Sequence, residues 1–183
     1  MKRYLTSVIK QFEYYRGLGD KTLEQLSFED LMNDVATDAN SIAIIVKHLT
    51  GNMLSRWTNF LTEDGEKIWR QRDQEFQANF KTKNDVITTW NKGWDCLFKT
   101  LNSLDKNHLD QLVYIRNEGH TVTEAINRQM MHYAYHVGQI VYLGKLLKGD
   151  QWQSLSISKG ESHIYNKQKF DLDKTIKHFT DDV

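Results

Sequence analysis

Apolar side chains recur at helical intervals along most of this chain. Leu5, Val8, Ile9, Phe12 and Tyr15 share one face and predict a first helix over about residues 2–25. Gly17 and Gly19 weaken the end of that helix or mark a local break. The polar, cap-rich stretch Asp34 to Asn40 predicts a second helix starting near residue 38. Its stripe is Ile42, Ile45, Leu49 and Met53, continuing toward Trp57 and Phe60. Thr62-Glu63-Asp64-Gly65 then signals a turn, and a charged stretch runs to Lys83. That stretch carries Ile68, Trp69, Phe76 and Phe80, so it reads as an ordered connection packed on the bundle; the other reading is a plain surface crossover. A third helix follows from Val86, Trp90, Gly93, Leu97, Leu101 and Leu104.

The apolar run at Leu112–Ile115, the turn signal Asn117-Glu118-Gly119 and the run His120–Val122 predict a small β-hairpin. Thr123 or Thr121 caps a fourth helix that reaches about Lys148, before Gly149. A polar tail spans residues 150–183, with Trp152, Ile157, Tyr165 and Phe170 as scattered anchors. No internal repeat or domain boundary interrupts this pattern. The expectation is one all-α domain over residues 1–183, a four-helix bundle with a long crossover and one small hairpin, its core over about 2–150.

Composition narrows the function. The chain has 24 Lys and Arg against 24 Asp and Glu, a formal net charge of zero, which argues against a nucleic-acid binder. Average usage of about 5% would give roughly nine prolines; there are none, so long helices run unbroken. A single cysteine, Cys96, excludes a disulfide framework or a cysteine zinc cluster within the chain, and its place beside the third helix's stripe suits a small buried filler. No signal-peptide core follows Met1-Lys2-Arg3-Tyr4, and no apolar run approaches the roughly 18 residues of a membrane span. A soluble cytoplasmic protein is expected.

The chemistry concentrates on the fourth helix. At about 100° per residue, His132 and His136 lie only about 40° apart. Ile140, Leu143, Leu146 and Leu147 continue the same face as an apolar stripe, while its N-terminal half carries Arg128, Gln129, His132, His136 and Gln139. Polar groups turned toward a core need partners, whether a metal, a water-filled pocket or a hydrogen-bond network. Two histidines at i and i+4 can reach one ion, although such pairs also arise as satisfied core or surface residues. A third ligand has to come from another element, and His48, flanking the second helix's stripe, is the best placed. His108 and His120 fall in segments that do not fix their direction, and His163 and His178 read as surface residues of the tail.

Lys47-His48-Leu49-Thr50-Gly51-Asn52 with Ser55-Arg56-Trp57-Thr58 resembles the second-helix motif of the DinB/YfiT-like superfamily, and Glu124–Gln129 through His132-Tyr133-Ala134-Tyr135-His136 resembles its HxxxH helix. Asp64–Asp73 and Lys159-Gly160-Glu161-Ser162 resemble a branch of unknown function. The likeness spans roughly residues 2–170, with one departure at Ser158, where relatives often carry proline; this touches the tail and not the site. It implies a four-helix bundle, a homodimer, and a divalent metal held by His48, His132 and His136. Zinc would suit a tetrahedral site, and nickel, iron or manganese an octahedral one.

Characterised members of the superfamily transfer low-molecular-weight thiols or isomerise small acids with a thiol cofactor. The resemblance therefore implies a metal-dependent enzyme that transfers a bacillithiol- or glutathione-like thiol to a small electrophile. Asn52, Arg128 and Gln129 would orient the thiol or substrate, and Arg56 and Arg70 would grip its carboxylates; by its place on the helix Tyr135 lies close enough to the histidine face to line the pocket, although core or interface packing is the plainer role for it. Salt bridges to Asp or Glu are the plainer role for the two arginines. The alternative from another class is a non-catalytic, stress-associated dimeric bundle that merely holds metal. A hydrolase ranks third, because His132-Tyr133 lacks the glutamate that HExxH chemistry uses as a base, and Glu124 lies two turns away.

Overall fold

Capping chemistry sets the helix boundaries. The computed structural model describes residues 2–181 and contains helices α1 (Lys2–Gln25), α2 (Phe28–Met32), α3 (Ile42–Trp57), α4 (Lys83–Ser103), α5 (Val122–Lys148) and α6 (Ser162–Phe170). An antiparallel hairpin, β1 (Leu112–Ile115) and β2 (Glu118–Thr121), joins α4 to α5, and a 3₁₀ turn, Arg72–Phe76, sits in the crossover. Reciprocal capping boxes, Thr82 with Asp85 and Thr121 with Glu124, start α4 and α5. Thr121 is thus the cap, and Gly149, at φ 55°, ends α5 in a conformation that favours glycine. The segment 34–40 stays irregular and Ser41 caps α3, so that helix begins about one turn later than its polar approach suggests. Asn59, at φ 50°, closes it before Phe60, which nevertheless packs on Trp57. No helix among the described residues is long and apolar enough to cross a membrane.

The four long helices form a bundle in which α3 packs chiefly on α4, and α1 on α5. Each contributes one aromatic side chain to a central knot. Phe12 of α1 touches Trp57 of α3, Trp94 of α4 and Tyr133 of α5 at centroid distances of 6.5, 6.3 and 5.9 Å. The Trp57 indole N–H donates to the Tyr133 hydroxyl at 2.9 Å, and that hydroxyl donates to the Asn52 side-chain oxygen at 3.0 Å. Helix α1 passes Gly17 and Gly19 unbroken. Gly19 is where the Trp90 ring lies against it, its N–H donating to Asp20 at 2.6 Å.

The crossover is ordered, but not by the apolar residues expected to anchor it. Ile68 is fully exposed, Trp69 and Phe76 are largely exposed, and only Phe80 packs against the core. Hydrogen bonds and ion pairs hold it instead. Ser55 of α3 donates to the Gly65 carbonyl at 2.7 Å and accepts from the Lys67 amide at 3.0 Å. The buried Lys67 ammonium donates to the Asp64 carbonyl and pairs with Glu63 at 3.1 Å. The tail also differs from expectation. Ile157, Tyr165 and Phe170 are exposed, whereas His178 and Phe179 meet Ser7 and Tyr14 of α1, at 3.0 Å and a centroid distance of 5.6 Å.

The hairpin turn falls at Arg116-Asn117, one step before the predicted Asn117-Glu118-Gly119, because Ile115 pairs with Glu118. Both turn residues have positive φ, 56° and 63°, the geometry that suits the twist of a two-residue hairpin. Asparagine tolerates it readily, but an arginine there costs about 1–2 kcal/mol. Asp64 offsets part of this by accepting the Arg116 and Asn117 amides, each at 2.8 Å. Those amides help hold the Asp64 carboxyl below its ordinary range, against a burial effect that acts the other way. Val113 and Ile115 face the core.

Candidate metal centre

The buried face of α5 is Val122, Ala125, Ile126, Gln129, Tyr133, Val137, Ile140 and Gly144. Its centre lies about 70° around the helix from the line through His132 and His136. The histidine face is therefore the shoulder of the buried face and not its middle, and both rings are half-buried beside an opening. The same offset leaves Leu146, expected in the apolar stripe, largely exposed.

His48 projects from α3 into the gap, and one ring nitrogen from each of His48, His132 and His136 lies within 4.8 Å of the others. That is close to the roughly 3–4 Å spacing imposed by bonds of about 2.1 Å to a single ion. The rings stand edge to face, with centroids 5.6 Å apart for His48 and His132, 5.0 Å for His48 and His136, and 4.7 Å for the helical pair. Burial first, then the neighbouring histidines and Arg56 and Arg70, push the His132 pKa down to about 3. Burial also lowers that of His136. Neutral imidazoles with free lone pairs are what a divalent cation requires.

Outer contacts fix two of the rings. His48 Nδ1 lies 2.9 Å from Glu75 Oε2, and His136 Nδ1 lies 2.7 Å from Gln139 Oε1. With N–H on Nδ1 in both, Nε2 is left as the free donor of each; Glu75 behind His48 is the carboxylate–histidine arrangement that orients metal ligands, and the Gln139 amide oxygen does the same for His136. Arg70 grips Glu75 in turn, Nε to Oε1 at 2.7 Å and Nη2 to Oε2 at 2.9 Å. Burial alone would raise the Glu75 carboxyl, but the hydrogen bonds from His48 and Arg70 outweigh it and hold it below its ordinary range. Room for this carboxylate comes from Gly51, where a Cβ would run into the Glu75 side chain. Phe76 completes the wall, stacked on His48 at 5.4 Å.

A pocket of about 280 Å³ opens beside the cluster, and His48, His132, Asn52, Arg56, Arg128 and Gln129 all line it. Asn52 is committed to the Tyr133 hydroxyl, and Arg128 Nη1 lies 3.2 Å from His120 Nε2. Gln129 is only 4% exposed, and its Oε1 is buried without a partner among the described residues, as is Nε of Arg56. Tyr135 stands apart: it is 63% exposed, accepts from Gln139 at 3.1 Å and lays its ring against His136, outside the pocket lining. The expected salt bridges of Arg56 and Arg70 are present: Glu66 Oε2 meets Arg56 at 3.2 Å and Arg70 at 3.4 Å. Cys96 lies beside the core, 3.7 Å from the Thr58 hydroxyl and away from the histidines.

Glu75 is the residue that sequence reasoning missed. It sits in a 3₁₀ turn of a charged crossover, where neither periodicity nor spacing to His48 marks it. The signal available was Gly51, a glycine within an otherwise regular helix. Over residues 1–161 the chain matches the family described as protein of unknown function DUF1572. No curated protein and no solved structure matches it. The chain belongs to the DUF1572 family, a DinB-like fold family of unknown function.

Proposed function

We propose that this DUF1572 member is a metal-dependent enzyme acting on small molecules, and that its reaction is transfer of a low-molecular-weight thiol to a small electrophile. The observation that carries the reading is the trio His48, His132 and His136, drawn from two helices, with burial disfavouring the protonated form of His132 and His136, and with His48 backed by the clamped Glu75. The donor set fits a divalent ion, since it holds three imidazoles and no protein thiolate or carboxylate. Such an ion keeps its charge and open positions, and would supply Lewis acidity and a lowered pKa to a thiol or water. The protein's part is positional. Glu75 and Gln139 fix which nitrogen each histidine presents, and Arg70 keeps Glu75 ionised. Phe76 and the core shield one side of the cluster, while Asn52 and Gln129 face the pocket as polar contacts for a substrate. The lone cysteine lies elsewhere, so a reacting thiol has to come from outside.

The reading includes a cytoplasmic homodimer. Met131, Tyr135, Tyr142 and Leu146 are all largely exposed and fall within about 60° of one another on α5. Light scattering coupled to gel filtration tests it.

Metal analysis by mass spectrometry tests the central claim. Wild-type protein is expected to carry close to one divalent ion per chain, and His48→Ala or His136→Ala to lose it. Retention of metal in both variants removes the basis of the reading. If metal is bound but no cellular thiol alters the absorption spectrum of the cobalt-substituted protein, the centre belongs to a non-catalytic metal-binding bundle.

A further inference from the structure

The pocket beside the histidines is lined by five arginines, Arg56, Arg70, Arg72, Arg116 and Arg128, and by no carboxylate residue. In a chain of zero net charge this concentration is local and requires its own account. The five fall into two groups. Arg56 and Arg70 are buried and committed to Glu66 and Glu75. The other three are exposed and arrive from three separate elements: Arg72 from the 3₁₀ turn, Arg116 from the hairpin turn, Arg128 from α5. The Arg72 side chain makes no hydrogen bond or ion pair among the described residues. Among the described residues the Arg128 side chain meets only the ring nitrogen of His120. Arg116 reaches Glu66 at 3.2 Å, but that carboxylate already serves Arg56 and Arg70. Positive charge at the pocket mouth is therefore undercompensated.

Two further features point to a ligand. Arg116 is held in the left-handed region at φ 56°, with its turn tied down by Asp64, so the backbone is constrained where a guanidinium meets the pocket. Arg56 is 6% exposed and lines the same pocket, and its buried Nε–H finds no acceptor among the described residues. Guanidinium groups match carboxylate and phosphate oxygens through paired N–H donors. A volume of about 280 Å³ admits a molecule of small-metabolite size and not a polymer.

We propose that Arg72, Arg116 and Arg128 form an oxyanion-recognition rim, and that the substrate of the histidine centre is a small molecule bearing a carboxylate or phosphate seated against them. This rests on the enzymatic reading above, and it adds the substrate class and the residues that select it.

Isothermal titration of the purified full chain with inorganic phosphate, with succinate and with neutral succinamide tests the proposal. Metal content is measured on every sample, and each titration is repeated after chelator treatment. The expected result is saturable binding of phosphate or succinate, whichever oxyanion fits, with no binding of succinamide. Arg72→Ala and Arg128→Ala should each weaken binding about tenfold or more, with unchanged metal content and melting temperature. Arg128→Lys should recover part of the loss, and Arg16→Ala, outside the pocket, should change nothing. Equal affinity in wild type and both alanine variants, equal binding of succinamide, or no binding of either oxyanion overturns the rim. If the wild type carries no metal yet binds oxyanion through these arginines, the rim stands and the metal reading falls.

Discussion

The two sides of α5 are built on opposite principles. Tyr133 points into a knot of aromatic rings in which each long helix supplies one member, and Phe12, Trp57 and Trp94 are essentially inaccessible to water. The adjacent residue, His132, points toward a half-open pocket walled by arginines and by an ion-paired crossover. The knot is stabilised chiefly by burial and dispersion, spread over many contacts and largely non-directional, with the Trp57–Tyr133–Asn52 hydrogen bonds as its directional part. The crossover is held by Ser55, Lys67, Arg70 and Glu75 through directional contacts that fail when one partner is lost. Stability is concentrated on one side and positional accuracy on the other, with Asn52 joining them through the Tyr133 hydroxyl while it lines the pocket.

Breaking the knot should give the largest effect. Phe12→Ala is expected to destabilise the chain by about 3–5 kcal/mol in urea unfolding, while the fraction that remains folded binds metal as before. A loss of metal affinity in the folded fraction would mean that the two sides are not separable. Arg70→Ala leaves Glu75 buried with His48 as its remaining partner, and should cost about 3 kcal/mol. Ile68→Ser, in the same crossover but fully exposed, should change stability by less than about 0.5 kcal/mol. Equal effects of these two would contradict an ionic origin for the order of the crossover.

The smaller effects separate placement from stability. Glu75→Gln keeps the shape but loses the charge that orients His48, and should weaken metal binding about 10–100-fold in competition with a chelating dye. Gly51→Ala should do the same by displacing the Glu75 carboxylate. A further effect is one of pH. His132, with its pKa lowered from 6.5 to about 3, and His136, also lowered, refuse protons that the unfolded chain accepts. The metal-free protein should therefore be at full stability above about pH 6.5 and lose stability as the pH falls below it. Allowing for the partial exposure of both rings, the loss by pH 5 is about 1 kcal/mol. Denaturant titrations at pH 7 and pH 5 measure it, and His132→Gln should flatten the difference.

Much of the fold is legible in the order of residues. Helix α1 follows the period of Leu5, Val8 and Phe12, and Thr121 followed by Glu124 marks the start of α5, because capping and amphipathic burial act over a few residues. His48, His132 and His136 were also identified together. The i,i+4 spacing made two of them a pair, while the third rested on its place beside a stripe and on family resemblance. Less was legible in the crossover, where Ile68 and Trp69 looked like anchors and are not. Tyr135, assigned to the pocket from helical angle alone, lies outside it.

Features that depend on short separations follow from the order of residues alone: four long proline-free helices, their caps, the hairpin, and a pair of histidines on one helix face. The tertiary structure decided what depends on residues far apart in the chain. It brought His48 to His132 and His136, set Glu75 behind His48 in the space left by Gly51, and gathered Arg72, Arg116 and Arg128 at one opening. The physical reason is that helical periodicity fixes only the angle of a side chain about its own axis. Depth and partner follow from how helices and loops pack, and ion pairs across a crossover have no period to read.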